Sequence, residues 1–180
     1  MSDSHKLQHV GGEDWLQRIA RFRYRIWQED GLIDESLFPD GPVIEEVDRQ
    51  AIQVVHLDEG QLVASIRYAQ FDSLQQAPQA EEFARCGIAL WGAVALPERL
   101  VVHPDYRRRG ILDAIATYMV ELARQHGARY IISECSPPTA ELLRKRGRPS
   151  LGFSPQDPRF PGVRYEWFLS DLAQQPESGK

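Results

Sequence analysis

The chain has 180 residues, of which 42% are hydrophobic and 26% charged, a composition typical of a soluble globular domain. Its 26 acidic and 21 basic residues give a formal charge of −5, and a net acidic chain is a poor general binder of nucleic acid. Two cysteines are too few for a disulfide framework, residues 1–14 lack the apolar core of a signal peptide, and no segment has the roughly 20 apolar residues of a membrane span. We therefore expect a cytoplasmic protein without nucleic-acid or membrane partners.

The predicted elements begin with an amphipathic helix over 14–29, with Asp14 as its N-cap. Its apolar residues recur at helical spacing: Trp15, Ile19, Phe22 and Ile26. A long loop over 31–47 follows, and then two strands joined by the hairpin turn Asp58-Glu59-Gly60. In chain order, the predicted strands and later helices are a strand over 51–57, a strand over 61–70, a short helix over 79–85, a strand over 93–103, a helix over 110–126, a strand over 130–135, a helix over 139–146 and a strand over 163–169.

This order of elements predicts an α/β domain built on a mixed sheet. We assign residues 14–173 to that single domain. The polar segments 1–13 and 174–180 are expected to be flexible ends.

The segment with the clearest chemistry is the junction between a strand and a helix near residue 104. A buried strand stops at Pro104, three arginines follow, and Gly110 stands at the first turn of the helix. Free amide N–H groups at a helix start favour anions, arginine side chains suit phosphate oxygens, and glycine permits close approach of the backbone. The segment therefore predicts a pyrophosphate site, with a solvated surface turn as the alternative.

The run from Arg99 to Gly110 resembles the acyl-CoA-binding motif of the GNAT acyltransferases, in which a strand reading L-x-V-x-P leads into (Q/R)-x-x-G-x-(G/A). Arg107 and Gly110 match the motif, whereas Leu112 replaces its last small residue. The resemblance implies a GNAT-like fold with a mixed, largely antiparallel central sheet flanked by helices. It also implies that main-chain groups and arginines bind an acyl-CoA through these residues: Leu100, Val101, Val102, Arg107, Arg108, Arg109, Gly110, Ile111, Leu112 and Asp113.

The same resemblance implies an enzyme that transfers an acetyl or longer acyl group directly from coenzyme A to a small-molecule primary amine, without a metal. A base must remove a proton from that amine. Glu98 on the cofactor strand is the first candidate and Glu134 on the next strand the second, unless either one only pairs with an arginine. Many family members protonate the leaving thiolate with a tyrosine, and no tyrosine stands at the matching place near Leu143 or Arg144. A non-catalytic acyl-CoA-binding module is therefore an alternative.

The N-terminal half resembles a second group with the same fold, the acyl-homoserine-lactone synthases and N-acyl amino acid synthases, which take acyl groups from acyl-carrier protein. Their pattern R-x-x-x-F, E-x-D-x-x-D and G-x-x-R is matched in part by Arg23, by Glu46 with Asp48, and by Arg67. Trp27 replaces its phenylalanine, Ala51 its last acid and Ala64 its glycine. The resemblance implies an acceptor site formed by Arg23, Trp27, Asp48 and Arg67, in which the arginines contact the carboxylate of an amino-acid-like acceptor or organise Asp48. In the alternative, Trp27 is a core residue and the charges pair at the surface.

Two other features receive no catalytic assignment. Residues 145–149 contain R-G-R-P, the core of a minor-groove-binding hook, which we interpret as a basic turn near the cofactor or a carrier-protein contact. The histidines show no metal-ligand spacing. The sequence leaves the oligomeric state open, a homodimer included.

Overall fold

The computed structural model describes residues 6–174 of the chain. Its strands are β1 Leu7–Val10, β2 Ile52–Asp58, β3 Gln61–Phe71, β4 Val94–Val102, β5 Tyr130–Cys135, β6 Ser150–Phe153 and β7 Glu166–Asp171. Its helices are α1 Glu13–Glu29, α2 Glu46–Gln50, α3 Ala80–Arg85, α4 Ile111–Gln125 and α5 Pro137–Lys145. Among residues 6–174, no helix combines the length and the apolar character needed to cross a membrane.

The strands form one seven-stranded sheet in the order β1-β2-β3-β4-β5-β7-β6. Strands β4 and β5 are parallel, with Val94 opposite Tyr130 and Ala95 opposite Ile131. The β1–β2, β2–β3, β5–β7 and β6–β7 pairs are antiparallel. The prediction of a mixed, largely antiparallel sheet flanked by helices is therefore confirmed.

The described residues group into two compact units, each with its own apolar core. The first unit contains residues 6–69, 98–119 and 157–162, and the second contains residues 70–97, 120–156 and 163–174. Side chains of α1, β2, β3 and β4 form the core of the first unit: Ile19, Phe22, Ile26, Val55, Leu62 and Val101. The core of the second unit includes Leu74, Phe83, Val94, Leu96, Ile132 and Trp167. Apolar packing therefore fixes the helix and strands that also carry the charged residues of the first unit.

The structure differs from the sequence predictions mainly at short, half-exposed elements. Strand β1 lies within residues 1–13, which we expected to be flexible; its hydrogen bonds go to β2, so this polar edge strand needs no apolar pattern of its own. Helix α1 begins after Gly12 rather than after Asp14, and no side chain caps it. Strand β6 was not predicted, and β7 runs over Glu166–Asp171 rather than 163–169. Residues 1–5 and 175–180 lie outside the described residues, so the expectation for those ends has no structural counterpart.

Candidate active site

A buried cluster of charged side chains joins α1, α2, β3 and β4 in the first unit. Arg23 Nη1 donates to Asp48 Oδ1 at 2.9 Å, and Arg67 Nη1 donates to the same oxygen at 3.2 Å. Arg67 Nη2 donates to Glu98 Oε2 at 2.6 Å. The side chains of Arg23, Asp48 and Arg67 are at most 5% exposed. Three of the predicted acceptor residues and the first candidate base therefore lie in one ion-pair cluster, which is inside the protein rather than at its surface.

Glu45 is one member of this cluster that the sequence did not identify. The E-x-D pattern pointed to Glu46, whose side chain is exposed. Glu45 immediately precedes α2 and accepts hydrogen bonds from Arg67 Nη1 at 2.6 Å, Arg99 Nη2 at 2.6 Å and Arg159 Nη1 at 3.1 Å. Its partner Arg159 is 114 positions away in the chain, which no local spacing pattern can reveal.

Burial and charge act in opposite directions on the pKa values in this cluster. Burial alone would raise the pKa of Glu45, but Arg99 and Arg67 outweigh it and hold that pKa at about 2. Burial would likewise raise the pKa of Asp48, but the charges of Arg23 and Arg67 more than offset this effect and lower that pKa. Burial lowers the pKa of Arg23 to about 10, against the opposing charge of Asp48. At neutral pH all these groups are charged, so each one depends on its partners.

Arg99 has a backbone conformation that is rare within a strand. Its φ is 55°, in the left-handed region, which costs a non-glycine residue on the order of 1–3 kcal/mol. In a regular strand consecutive side chains point to opposite faces, and the sequence argument for Glu98 relied on that alternation. Here the consecutive residues Glu98 and Arg99 both bond to members of the same cluster, Arg67 and Glu45. The irregular backbone therefore brings both side chains to one site.

A pocket with an aromatic wall adjoins the cluster within the first unit. The rings of Trp27 and Phe160 meet edge to face, with centroids 5.0 Å apart, and Phe38 lies 6.5 Å from Phe160. Its lining residues are Arg23, Trp27, Phe38, Val43, Glu45, Asp48, Arg99, Arg159 and Phe160. Trp27 is half-buried against the core and also forms part of the pocket wall. The pocket thus combines apolar surface with a few charged groups, as ligand sites commonly do.

The strand–turn–helix junction has the backbone geometry of an anion site. Arg108 and Gly110 have φ values of 62° and 81°, and such turns direct successive N–H groups into a concave surface. The first helical hydrogen bond of α4 runs from Ala114 N to Gly110 O at 3.0 Å, so the amides of residues 111–113 precede the helical ladder. Gly110 adopts its positive φ without the strain that a side chain would add.

The three arginines of this junction have different surroundings. Arg107, predicted to bind the cofactor, donates to both carboxylate oxygens of Asp30, at 3.1 and 2.5 Å, and to Val102 O at 3.0 Å. The guanidinium of Arg109 lies 5.1 Å from the centroid of the Tyr106 ring. Arg108 is exposed. Arg107 is thus bonded to Asp30 and to the main chain, and Arg108 is an exposed basic side chain beside the helix start.

The remaining predicted residues lie in the second unit. Glu134 is exposed on β5, opposite Trp167 of β7. Burial raises the pKa of the neighbouring Cys135 thiol to about 12, which makes it a poor nucleophile at neutral pH. The segment 145–149 closes α5, since Gly147 has a φ of 71° and Arg148 N donates to Leu143 O at 3.0 Å. That run is therefore part of a folded helix end rather than an extended hook.

Acidification is expected to destabilise the protein through Glu45. Its pKa is lower in the folded state, about 2 against an ordinary 4.5, so its contribution is full above pH 4.5 and is lost as the pH falls toward 2. The free energy of unfolding should drop by about 3 kcal/mol from this group between pH 6 and pH 2. Urea unfolding at a series of pH values measures the drop, and Glu45→Gln should have a shallower curve. Parallel curves for the two proteins would contradict this assignment.

Comparisons with known proteins agree on the fold. No curated protein matches the sequence. The structure of FeeM, an N-acyl amino acid synthase from uncultured soil microbes, is similar with a TM-score of 0.68 and 14% identity, covering 94% of this chain and 91% of that chain. The structure of the CoA-dependent acyl-homoserine lactone synthase MesI is similar with a TM-score of 0.66 and 22% identity, covering 93% of this chain and 89% of that chain. The structure of the polyamine N acetyltransferase of Drosophila melanogaster is similar with a TM-score of 0.62 and 14% identity, covering 92% of this chain and 100% of that chain.

The family described as N-acyl amino acid synthase FeeM matches residues 18–148, which is more than half of the chain. The matched range contains all the predicted acceptor residues and the whole strand–turn–helix junction. Both resemblances noted in the sequence are thereby confirmed, and the non-catalytic alternative is set aside because the matched family consists of enzymes. Among residues 6–174, no group of three or more His, Cys, Asp and Glu side chains is placed to hold a metal ion. The chain belongs to the FeeM family of N-acyl amino acid synthases and is an acyltransferase.

Proposed function

We propose that the enzyme transfers an acyl group from an acyl-CoA thioester to the primary amine of an amino-acid-like acceptor. The observation that carries the proposal is the pocket of the first unit, where Arg23 and Asp48 meet an aromatic wall beside the Arg67–Glu98 ion pair. Guanidinium groups suit the carboxylate of such an acceptor, and carboxylates suit its ammonium group. The family of N-acyl amino acid synthases and the similarity to the synthases FeeM and MesI support an amino-acid-derived acceptor.

The donor is assigned to the junction between β4 and α4. Amides of residues 108–113 would bind the pyrophosphate of coenzyme A, supplemented by Arg108, while Arg107 holds the turn against Asp30. The main chain of Leu100, Val101 and Val102 would bind the pantetheine arm. Positive φ values at Arg108 and Gly110, together with the start of α4, support this assignment.

In the proposed reaction the amine nitrogen attacks the thioester carbonyl carbon, and the C–S bond then breaks to release coenzyme A as a thiol. Glu98 would take the proton that the attacking nitrogen loses. Its side chain is 12% exposed, and the ion pair with Arg67 fixes the position of its carboxylate. A main-chain N–H of β4 would stabilise the tetrahedral oxyanion. The proton ultimately neutralises the thiolate, so the step needs no further reactant.

The test mixes the enzyme with acyl-CoAs and individual amino acids. We expect thiol release that depends on the added amino acid. Mass spectrometry should detect the matching N-acyl product. A donor that binds only the native state stabilises it by about 2.7 kcal/mol at a hundredfold excess over its dissociation constant, and this raises the thermal midpoint. Arg108→Glu combined with Gly110→Asp should abolish the shift, whereas Arg21→Glu, on the exposed face of α1, should retain it. Equal shifts in both variants would contradict the donor site.

An acyl-carrier protein is the second candidate donor. Its thioester has the same pantetheine arm as coenzyme A but lacks the pyrophosphate linkage to adenosine. Arg108 is exposed beside the helix start and would favour an acidic carrier surface. Single-turnover acylation with matched acyl-CoA and acyl-carrier-protein donors distinguishes the two candidates. Saturation by the carrier at much lower concentration, together with a strong salt dependence, would favour the carrier.

A further inference from the structure

The segment Asp157–Gly162, which we call the strap, closes one side of the acceptor pocket. It follows β6 in the chain but belongs to the first unit, and its Arg159 and Phe160 line the pocket. The strap lies outside residues 18–148, the part of the chain that the family match covers. Arg159 and Phe160 therefore complete the pocket from beyond the residues that the family model matches.

The strap holds Arg159 in a defined position. Arg159 N donates to Asp157 Oδ1 at 2.9 Å, and Phe160 N donates to Asp157 O at 2.9 Å, which closes a tight turn. Asp34 N donates to Arg159 O at 3.1 Å and ties the turn to the first unit. Pro158 and Pro161 restrict the backbone on both sides of the pair Arg159 and Phe160. A site built on such a rigid turn loses little entropy when a ligand binds.

The guanidinium of Arg159 is only partly used by the protein. Its Nε and Nη2 donate to Asp157, the latter at 2.7 Å, and Nη1 donates to Glu45 Oε1 at 3.1 Å. These bonds engage three of its five N–H donors, so within residues 6–174 two donors are left. The side chain is 33% exposed and lines the pocket.

Arg99 presents a second guanidinium at the same place. Arg99 Nη2 donates to Glu45 Oε1 at 2.6 Å, the oxygen that Arg159 also contacts. Glu45 therefore holds the two positive groups together and offsets their repulsion. Guanidinium groups are well suited to a carboxylate, and both arginines line the pocket next to Glu45.

From this geometry we propose that the strap determines acceptor specificity, with Arg159 binding the acceptor carboxylate jointly with Arg99. Phe160, 2% exposed and packed edge-on to Trp27, limits the size of the acceptor side chain. The inference rests on the proposed function in placing the acceptor in this pocket.

The test compares acceptors that differ only in the carboxylate. Phenylalanine, phenylalaninamide and phenethylamine are assayed with wild type and with Arg159→Met, which keeps most of the stem but removes the donors. KM for phenylalanine should rise about 10-fold to 100-fold, the range expected for one lost charge-assisted hydrogen bond. KM for phenethylamine should stay within about twofold, as should kcat for both acceptors. Arg21→Met, an exposed arginine of α1, is the matched control and should change neither value.

Two outcomes would overturn the inference. An equal rise in KM for phenylalanine and for phenethylamine would show that Arg159 only supports the fold, and an unchanged KM for both acceptors would show that it does not bind the carboxylate. Phe160→Leu gives a second readout: it should shift preference toward acceptors with larger side chains while leaving the acid-to-amine ratio unchanged.

A binding measurement separates this inference from the proposed function. Calorimetric titration of phenylalanine is carried out with wild type, Arg159→Met and Arg21→Met. Binding to wild type and to Arg21→Met, lost in Arg159→Met, supports the inference even if no acyl product forms, in which case the proposed function fails. Turnover of phenylalanine with unchanged binding to Arg159→Met overturns the inference and leaves the proposed function standing. Absence of phenylalanine binding, together with turnover of phenethylamine alone, also overturns the inference.

Discussion

Replacing Asp48 by asparagine is expected to lower the free energy of unfolding by about 3–5 kcal/mol, the usual cost of removing one partner from a buried ion pair. Asp48 Oδ1 accepts from both Arg23 and Arg67, and Oδ2 accepts from the main-chain N–H of Glu45 at 2.9 Å. The asparagine retains the shape of the side chain but leaves two buried guanidinium groups with less opposing charge. Urea unfolding followed by circular dichroism measures the loss.

Asp40→Asn is the matched control, because it makes the same chemical change on an exposed turn of the same unit. Its effect should stay within about 0.5 kcal/mol. If Asp48→Asn also changed the free energy of unfolding by less than about 0.5 kcal/mol, the buried arginines would not depend on Asp48 for their stabilisation.

Replacing Glu98 by glutamine is expected to lower kcat about 100-fold to 10,000-fold, the range for loss of a general base. The amide is similar in shape but cannot take the proton of the attacking amine. The loss should shrink as the pH rises above the pKa of the acceptor amine, because a larger share of the amine is then already neutral. Steady-state rates over a pH series, with the acyl-CoA donor saturating, measure both effects.

Glu134→Gln is the comparison, since Glu134 is the other candidate base and is exposed on β5. If Glu134→Gln showed the pH-dependent loss and Glu98→Gln did not, the base would be Glu134. A loss in Glu98→Gln that is the same at every pH would indicate that Glu98 only positions Arg67. Donor-induced thermal shifts should be preserved in Glu98→Gln, which separates a catalytic defect from unfolding.

The long elements of the fold could be predicted because their patterns are local. Helix α4 repeats apolar residues at helical spacing, and β5 opens with the apolar run Tyr130, Ile131 and Ile132 directly after a glycine turn, so both were predicted to within one residue of their observed ends. Strand β1 escaped prediction because an edge strand draws its hydrogen bonds from β2 and exposes half of its side chains. Strand β6 was missed because it is only four residues long and contains Gly152.

For the site, the sequence predicted the chemistry of the cluster but not its full membership. Arg23, Asp48 and Arg67 were identified from a spacing pattern, and their hydrogen bonds in the structure show that the three side chains lie together. Arg99 could not be placed, because its left-handed φ redirects the side chain against the alternation of β4. Arg159 was out of reach for a different reason: its role depends on a chain reversal more than a hundred residues from Glu45.

The sharing of Glu45 by three arginines has a consequence for how relatives of this enzyme diverge. A neutral residue at position 45 would leave Arg67, Arg99 and Arg159 to repel one another, and loss of one arginine would leave a carboxylate with weaker compensation. We therefore expect a substitution of the acid at position 45 to be accompanied by a substitution of an arginine that contacts it. In an alignment of homologues, we expect the acid at position 45 and the base at position 159 to covary, appearing together or disappearing together, and a lineage that has lost the strap to lack both.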